Sequence, residues 1–498
     1  MARIACLYSI EKYNTVNRPL HAWDMVPFGL SIVAACLERA GHNVRFWVAT
    51  PHTNLDQMIR EIVHDFGCDM VAASAITTQF PAIASVCRTI KISSPSTPIL
   101  VGGVHPSIQP QECIEHPAID AICVGEGEDV AVAWAKALAI GTQPRGIPGA
   151  WIKVRGSNEI DRTPPAPFRT DLDQLPFVNR ALWERWVDPQ DRSLNVVVGR
   201  GCPYACTYCS NHAIRRVQPG RYVRFRSPSN IVTEIGLVLE RFPDLTSLYL
   251  ETETIGASIP WALELCDHLA KFNAKLERPL NFTANFAVTS HFVRNEQQLR
   301  AFLGALQRAN VCNLNVGLES GSPRVRADIL NRPEYTNAEL ARFCQIAREH
   351  DIKIALFLLM GVPTETPADA IQTSAVARAC DPDAIFPSIF YPYPGTRLHE
   401  LATELDMIDP QQIGIAAERF RVYVRSKDFP RWRVFYEYAL LSLRIFHGRW
   451  SNRKIMRAMI GTSLGIIPSL LVMVHRTMEC LRVLGRRAAF SKSRLSAP

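Results

Sequence analysis

No hydrophobic run in this 498-residue chain is long enough to cross a bilayer. The stretch that comes nearest, Leu464 to Val474, is short, contains Pro468, and runs at once into His475, Arg476, Glu479 and Arg482. It reads as a helix packed on the body of the protein or, second, as an interfacial helix with arginine on its polar face. The opening residues, Met1 to Ile10, lack a basic region, an apolar stretch and a small-residue cleavage site, which predicts no secretory signal. Fourteen cysteines are scattered without the spacing of a disulfide framework, and a reducing, cytoplasmic setting is expected. Acidic residues are scarce at one end. From Ile415 to Pro498 there are 17 Lys/Arg against four Asp/Glu, a net +13, so the remainder of a chain of net charge +8 sums to −5. That skew points to an anionic surface or substrate, including peripheral contact with the inner face of a membrane, or to a solvated basic face. No RNA-binding motif accompanies it. The local aromatics Phe420, Tyr423, Trp432, Tyr436 and Tyr438 read equally well as core, so no nucleic acid is expected.

What is present is a trio of cysteines inside eight residues: Cys202, Cys206 and Cys209, in the run Gly199-Arg-Gly-Cys-Pro-Tyr-Ala-Cys-Thr-Tyr-Cys-Ser-Asn211. Thiolates are the ligands of iron–sulfur clusters, and three of them hold a cubane by three corners while leaving one iron open to a substrate or cosubstrate. The loop follows a β-branched run, Asn195 to Gly199, that reads as a short buried strand. Structural zinc is the competing chemistry and needs a fourth ligand, for which His212 is the close candidate. Three unrelated core cysteines are the other alternative.

Around this loop the chain alternates. Strand-like segments at Arg3–Leu7, Val44–Val48, Met70–Ala75, Pro98–Val101 and Ala121–Val124 are separated by helical patterns such as Leu30–Ala40 and Asn54–Phe66. This predicts a doubly wound, Rossmann-like parallel sheet over residues 1–140, with ligands bound beyond the carboxyl ends of its strands. Those ends carry Asp24-Met-Val-Pro-Phe-Gly29, Ser74-Ala-Ile76, Gly102-Gly103 and Gly125-Glu-Gly-Glu128. A Pro-rich linker, 141–190, follows and is expected to wrap across both domains so as to bury Trp183 and Trp186. A second alternation begins at the cluster strand and continues through Ser247–Leu250, Leu280–Thr283, Cys312–Gly317, Lys353–Leu359 and Ala384–Ile389. This predicts a partial (β/α)6 barrel over 191–401, whose chemistry sits at the strand mouths. Residues 402–498 read as mostly helical, with core spacing along Arg431–His447. The fold class is α/β throughout the first two domains.

Cys-x3-Cys-x2-Cys, with Tyr208 before the last cysteine, resembles the signature of the radical S-adenosylmethionine (SAM) enzymes. Asp-x-Val-x-x-Gly, Ser-x-Ile and Gly-Gly, with 44 residues between Gly29 and Ser74 and 25 between Ile76 and Gly102, resemble the cobalamin-binding domain. Together with GLESGS at 317–322, GVPTET at 361–366 and PYPGT at 392–396, they resemble the cobalamin-binding radical SAM subfamily over residues 1 to about 400. A nucleotide- or flavin-binding sheet is the other reading of the first domain. The resemblance implies three cofactors: a [4Fe–4S] cluster on Cys202, Cys206 and Cys209, SAM, and cobalamin. It implies SAM contacts from Tyr208, Glu251, Asn285, Glu319 and Ser320, with Arg324 either on the methionine carboxylate or on a surface acid, and Glu319 alternatively a helix N-terminal carboxylate. It implies cobalamin contacts from Val26, Ser74, Ile76, Gly102, Gly103, Gly125 and Glu126. Val26 stands where the family's axial histidine would be, so cobalt is expected to lack a protein imidazole, with His21 and His105 as nearby alternatives. The activity implied is methyl transfer from SAM by way of methylcobalamin to an unactivated carbon of a biosynthetic intermediate. The alternatives are oxidative cyclisation or ring rearrangement without net methylation, and a cofactor-responsive binding protein without catalysis. The expected partners are a small-molecule substrate, anionic or isoprenoid, and a low-potential electron donor of flavodoxin or ferredoxin type.

Overall fold

The structure is a computed structural model that describes residues 1–11, 15, 17–188, 193–409 and 421–466, with side chains as far as 461. Phe420 and the side chains of the apolar stretch from Leu464 lie outside the described residues. Among those described, no helix is long and apolar enough to cross a membrane.

The first sheet has seven strands in the order β2-β1-β3-β4-β5-β6-β7. They are β1 (Arg3–Ser9), β2 (Asn43–Ala49), β3 (Met70–Ser74), β4 (Ile99–Gly102), β5 (Ala121–Cys123), β6 (Ala150–Lys153) and β7 (Ile160–Arg162). The first five run parallel, and β6 and β7 add an antiparallel hairpin. Near-continuous apolar strands such as Ile4-Ala-Cys-Leu7 fit a parallel sheet covered on both faces, and all four of those residues are buried. The hairpin corrects the expected linker: residues 150–162 belong to the sheet. Its short strands sit at an edge and carry Trp151 and Ile152 among charged neighbours, too few apolar positions to stand out as a period. Both linker tryptophans are buried against the first domain. Trp183 is fully buried and donates from Nε1 to Ser31 Oγ at 3.0 Å, and Trp186 donates to the Phe46 carbonyl at 3.0 Å.

The second sheet has six parallel strands, each neighbouring the next in sequence: β8 (Leu194–Val197), β11 (Ser247–Glu251), β12 (Asn281–Phe286), β13 (Val311–Glu319), β14 (Lys353–Met360) and β15 (Ala384–Ile389). A two-stranded ribbon of β9 (Gly199–Arg200) and β10 (Arg224–Phe225) flanks the cluster loop. Strand–helix units in sequential order make the partial (β/α)6 barrel, open between β8 and β15. Its helices start cleanly. Thr336 with Glu339, and Thr366 with Asp369, form reciprocal capping boxes, the latter with Pro367 in the first turn. Beyond the barrel the helix Arg431–Phe446 buries Val434, Tyr438, Leu441 and Ile445 against the helix Pro367–Cys380, and Tyr438 donates to the Pro387 carbonyl of β15 at 3.0 Å.

Candidate active site

The carboxyl ends of the two sheets face each other across a cavity of about 680 Å³. From the first sheet come Ser74, Gly102, Gly103, Gly125 and Glu126, and from α-helical and turn segments Phe28, Gly29, Ile32 and Val33. From the barrel come Glu251 at the end of β11 with Thr252 and Glu253 after it, Asn285 on β12, and Arg200, Gly201, Ser210 and Asn211 either side of the cysteines. Its walls are mostly apolar on the sheet side and charged on the barrel side.

Two glycines make the sheet side possible. Gly103 has φ +101°, and a Cβ there would meet Ser74 Oγ at 2.7 Å and the Ala75 carbonyl at 2.8 Å. Gly125 has φ +101°, and its Cβ would meet the Gln218 side chain at 2.5 Å. Ser74, Gly102, Gly103 and Gly125 therefore stand together where the motif spacing put them. Val26 and Ile76 do not. Val26 is buried below the turn that starts the first helix, Ile76 turns its backbone N–H to Gln79 Oε1 at 3.2 Å, and neither lines the cavity. Glu126 lines it, yet both its oxygens are engaged. Oε1 pairs with Arg200 at 2.9 Å and Oε2 accepts from Arg224 at 3.0 Å and from the Arg169 N–H at 3.1 Å. Burial alone would raise its carboxyl, but the bonds from Arg224 and Arg200 hold it below the usual carboxylate range. Glu126 is thus a tie between domains rather than a free cobalamin contact. Neither alternative histidine reaches the cavity. His21 is exposed, and His105 is buried against Phe80 with ring centroids 4.5 Å apart, burial pushing its pKa down to about 4.

The cluster loop is held in place by four consecutive residues from beyond β13. The Thr207 N–H donates to the Leu330 carbonyl at 3.0 Å and its hydroxyl to that of Ile329 at 2.5 Å. Asn331, at φ +47°, donates to the Ala205 carbonyl at 3.0 Å. Arg332 then reaches in, donating from Nη1 to Cys206 Sγ at 3.7 Å and Tyr208 Oη at 3.2 Å, and from Nη2 to the Gly317 carbonyl at 2.5 Å. Each thiol sulfur has an N–H donor. Cys206 has Arg332, Cys209 has Asn211 Nδ2 at 3.4 Å, and Cys202 has the Tyr204 backbone. Sulfurs so provided fit thiolate ligands of a cluster. Zinc loses its fourth ligand, because His212 is occupied at both nitrogens, by the Cys206 carbonyl at 3.0 Å and the Arg397 N–H at 3.2 Å. Among the described residues no three His, Cys, Asp or Glu side chains close on a single ion.

Glu319 has φ +59°, which aims its carboxyl toward Tyr208 and Arg332, the latter at 3.9 Å, and burial raises it. Ser320 is turned the opposite way. It is fully buried, shares hydroxyl contact with Thr373 at 3.3 Å and accepts from the Ser322 N–H at 3.2 Å, so it shapes the turn instead of facing a ligand. Arg324 pairs at 2.6 Å with Asp369, an acid that is buried rather than at the surface, and does not line the cavity. Asn285 lines the cavity with every polar atom bonded: Tyr249 and Asn315 donate to its oxygen at 2.6 and 3.3 Å, and it donates to the Thr252 carbonyl at 3.0 Å. Burial, then Glu253 and Asp24, push Glu251 up to about 7 despite a bond from Asn195. Glu253, Arg332, Arg200, Arg224 and Gln218 were missed in the sequence, since no local spacing marks them.

Family matches agree with this geometry: a B12 binding domain at residues 22–135 and the radical SAM superfamily at 196–376. The anaerobic magnesium-protoporphyrin IX monomethyl ester cyclase of Rubrivivax gelatinosus is 26% identical over 399 residues, covering 78% of this chain and 68% of that one. An uncharacterized methyltransferase of Pyrococcus horikoshii is 24% identical over 384 residues, covering 76% of this chain and 78% of that one. The solved structure of the radical S-adenosylmethionine methyltransferase TsrM from Kitasatospora setae superposes with a TM-score of 0.63 at 18% identity, over 82% of this chain and 77% of that one, which establishes a shared fold. The chain thus joins a B12-binding domain to a radical SAM domain.

Proposed function

We propose that the chain is a cobalamin-dependent radical SAM methyltransferase acting on an unactivated carbon of a small molecule. The observation that carries this reading is the single cavity lined at once by Ser74, Gly102, Gly103 and Gly125 and by Glu251, Glu253 and Asn285, beside the cysteine loop. When bound, the cofactors supply the hard chemistry, a hydrogen-abstracting radical from SAM on the cluster and a methyl carrier in cobalamin. The chain supplies the rest. Cys202, Cys206 and Cys209 hold the cluster. Gly102 and Gly103 let the backbone approach the corrin and its tail, and Ser74 offers a hydroxyl beside them. Glu251 and Glu253 are the carboxyls suited to the methionine amino group, with Asn285 beside them in the cavity lining, while Tyr208 and Glu319 stand by Arg332 at Cys206. Apolar residues from Phe28 to Val33 keep water from the sheet side.

Oxidative cyclisation on the same machinery is the second reading, favoured by the similarity to a cyclase. A small-molecule substrate and a flavodoxin- or ferredoxin-type donor belong to both. The exposed Trp432, Tyr436, Met456 and Ile460, interleaved with Arg453, Lys454 and Arg457, support contact with an anionic membrane surface, and retention by acidic but not neutral vesicles is expected. The deciding experiment is anaerobic reconstitution with iron, sulfide and hydroxocobalamin, then reduction with SAM. Mass spectrometry should find both 5′-deoxyadenosine and S-adenosylhomocysteine, and neither in a Cys202/Cys206/Cys209→Ala variant. Deoxyadenosine alone indicates the cyclase. Neither product from protein loaded with both cofactors indicates the non-catalytic binding protein.

A further inference from the structure

The three cluster sulfurs are not equivalent. Cys202 and Cys209 receive neutral N–H donors, whereas the donor to Cys206 is a guanidinium, 3.7 Å away and 8% exposed. The nearest carboxylate to that guanidinium, Glu319, stands at 3.9 Å, too far for a close bidentate pair. Arg332 therefore meets the Cys206 sulfur at shorter range than any carboxylate. It is also fixed there, by Tyr208 Oη at 3.2 Å and the Gly317 carbonyl at 2.5 Å, and by its neighbours' grip on the loop.

We propose that Arg332 is a positioning residue that sets the reduction potential of the cluster through a charged hydrogen bond to the Cys206 sulfur. The proposal rests on the reading that the cysteine trio holds a [4Fe–4S] cluster. In the step concerned, a one-electron donor of flavodoxin or ferredoxin type is oxidised by one electron and the cluster is reduced by one, with no bond broken and no proton moved. Added negative charge on the cluster is stabilised by a nearby fixed cation, so Arg332 raises the potential at which the electron enters. Tyr208 and Gly317 serve to aim the guanidinium; Asn211, a neutral donor to Cys209, contributes less.

The test is an EPR-monitored redox titration of the anaerobically reconstituted full chain without SAM. In Arg332→Gln the ratio of reduced to oxidised cluster at the wild-type midpoint should fall about tenfold, equivalent to a shift of about 59 mV to lower potential for a one-electron couple. Arg332→Lys, which keeps the charge, should recover most of it, and Asn211→Ala should move it less. A glutamine variant with full iron content and an unmoved midpoint overturns the inference while leaving the cluster in place. A wild-type chain that assembles no cluster overturns the reading beneath it. If the glutamine variant does not assemble, pulsed EPR on the reduced wild-type protein grown with 15N-arginine decides the matter. A weak 15N coupling, lost in Arg332→Lys, is expected, and its absence overturns the proposal.

Discussion

Residues at the barrel mouth do two kinds of work that their letters do not separate. Glu251 and Glu319 are both half-buried acids at strand ends, but one looks into the large cavity beside another carboxyl and the other toward a guanidinium. Glu251 also lines a second, polar cavity of about 350 Å³ with Asp24, Asn195, Tyr249 and Thr283. Its raised pKa, about 7, has a consequence for stability that can be signed. In the unfolded chain it titrates near the ordinary glutamate value, so between that pH and 7 the folded state binds more protons than the unfolded one. Stability is then fully present at acid pH and lost as pH rises through that window, by at most about 3.5 kcal/mol. Glu251→Gln should therefore stabilise the cofactor-free chain at pH 8 and not at pH 4.5, measured as the separation of urea midpoints. An equal separation at both values would refute the assignment.

At the scale of elements, the strand ends decide what the cavity can admit. Gly103 occupies a left-handed backbone conformation and its missing Cβ leaves room for Ser74 and Ala75. Gly103→Ala should cost about 2 kcal/mol by denaturant titration and weaken cobalamin binding. Gly29, in the first turn of the helix Phe28–Arg39, is the control: nothing lies within 4 Å of a Cβ built there. Gly29→Ala should leave stability unchanged or raise it by up to about 1 kcal/mol, so any lost cobalamin affinity reports crowding of the cavity alone. The cluster loop is likewise an element held by another. Thr207, Ala205 and Cys206 are bonded from Ile329 to Arg332, more than a hundred residues away in sequence.

For the whole molecule, the domains meet through charge as well as through the cavity. Arg200, beside the cysteines, pairs with Glu126 at 2.9 Å and Glu128 at 2.6 Å, and Arg224 pairs with Glu126 at 2.9 Å. Burial would lower Arg200; Glu128 and Glu126 reverse this and raise it. Breaking such a buried set leaves carboxylates without partners, so Arg200→Met should cost about 3 kcal/mol and speed proteolysis within 163–176, where the linker crosses the two domains. Unchanged unfolding and proteolysis would show that the Arg200 pairs do not hold the domains together.

Much of this was legible in sequence, for a local reason. Strand–helix alternation, the cysteine trio within eight residues, and the glycines at strand ends are short-range patterns, and each marks a backbone or ligand requirement met within a few residues. They determined the α/β class, the order of a doubly wound sheet and a partial barrel, and the cluster loop. Tertiary structure alone decided which long side chain meets which. Glu126 turned to Arg200 and Arg224, Ser320 turned into its own loop, Val26 and Ile76 packed away from the cavity, and Arg332 came to Cys206. Such pairings depend on strand register and on how helices settle against a sheet, quantities summed over the whole chain and written in no single window of it.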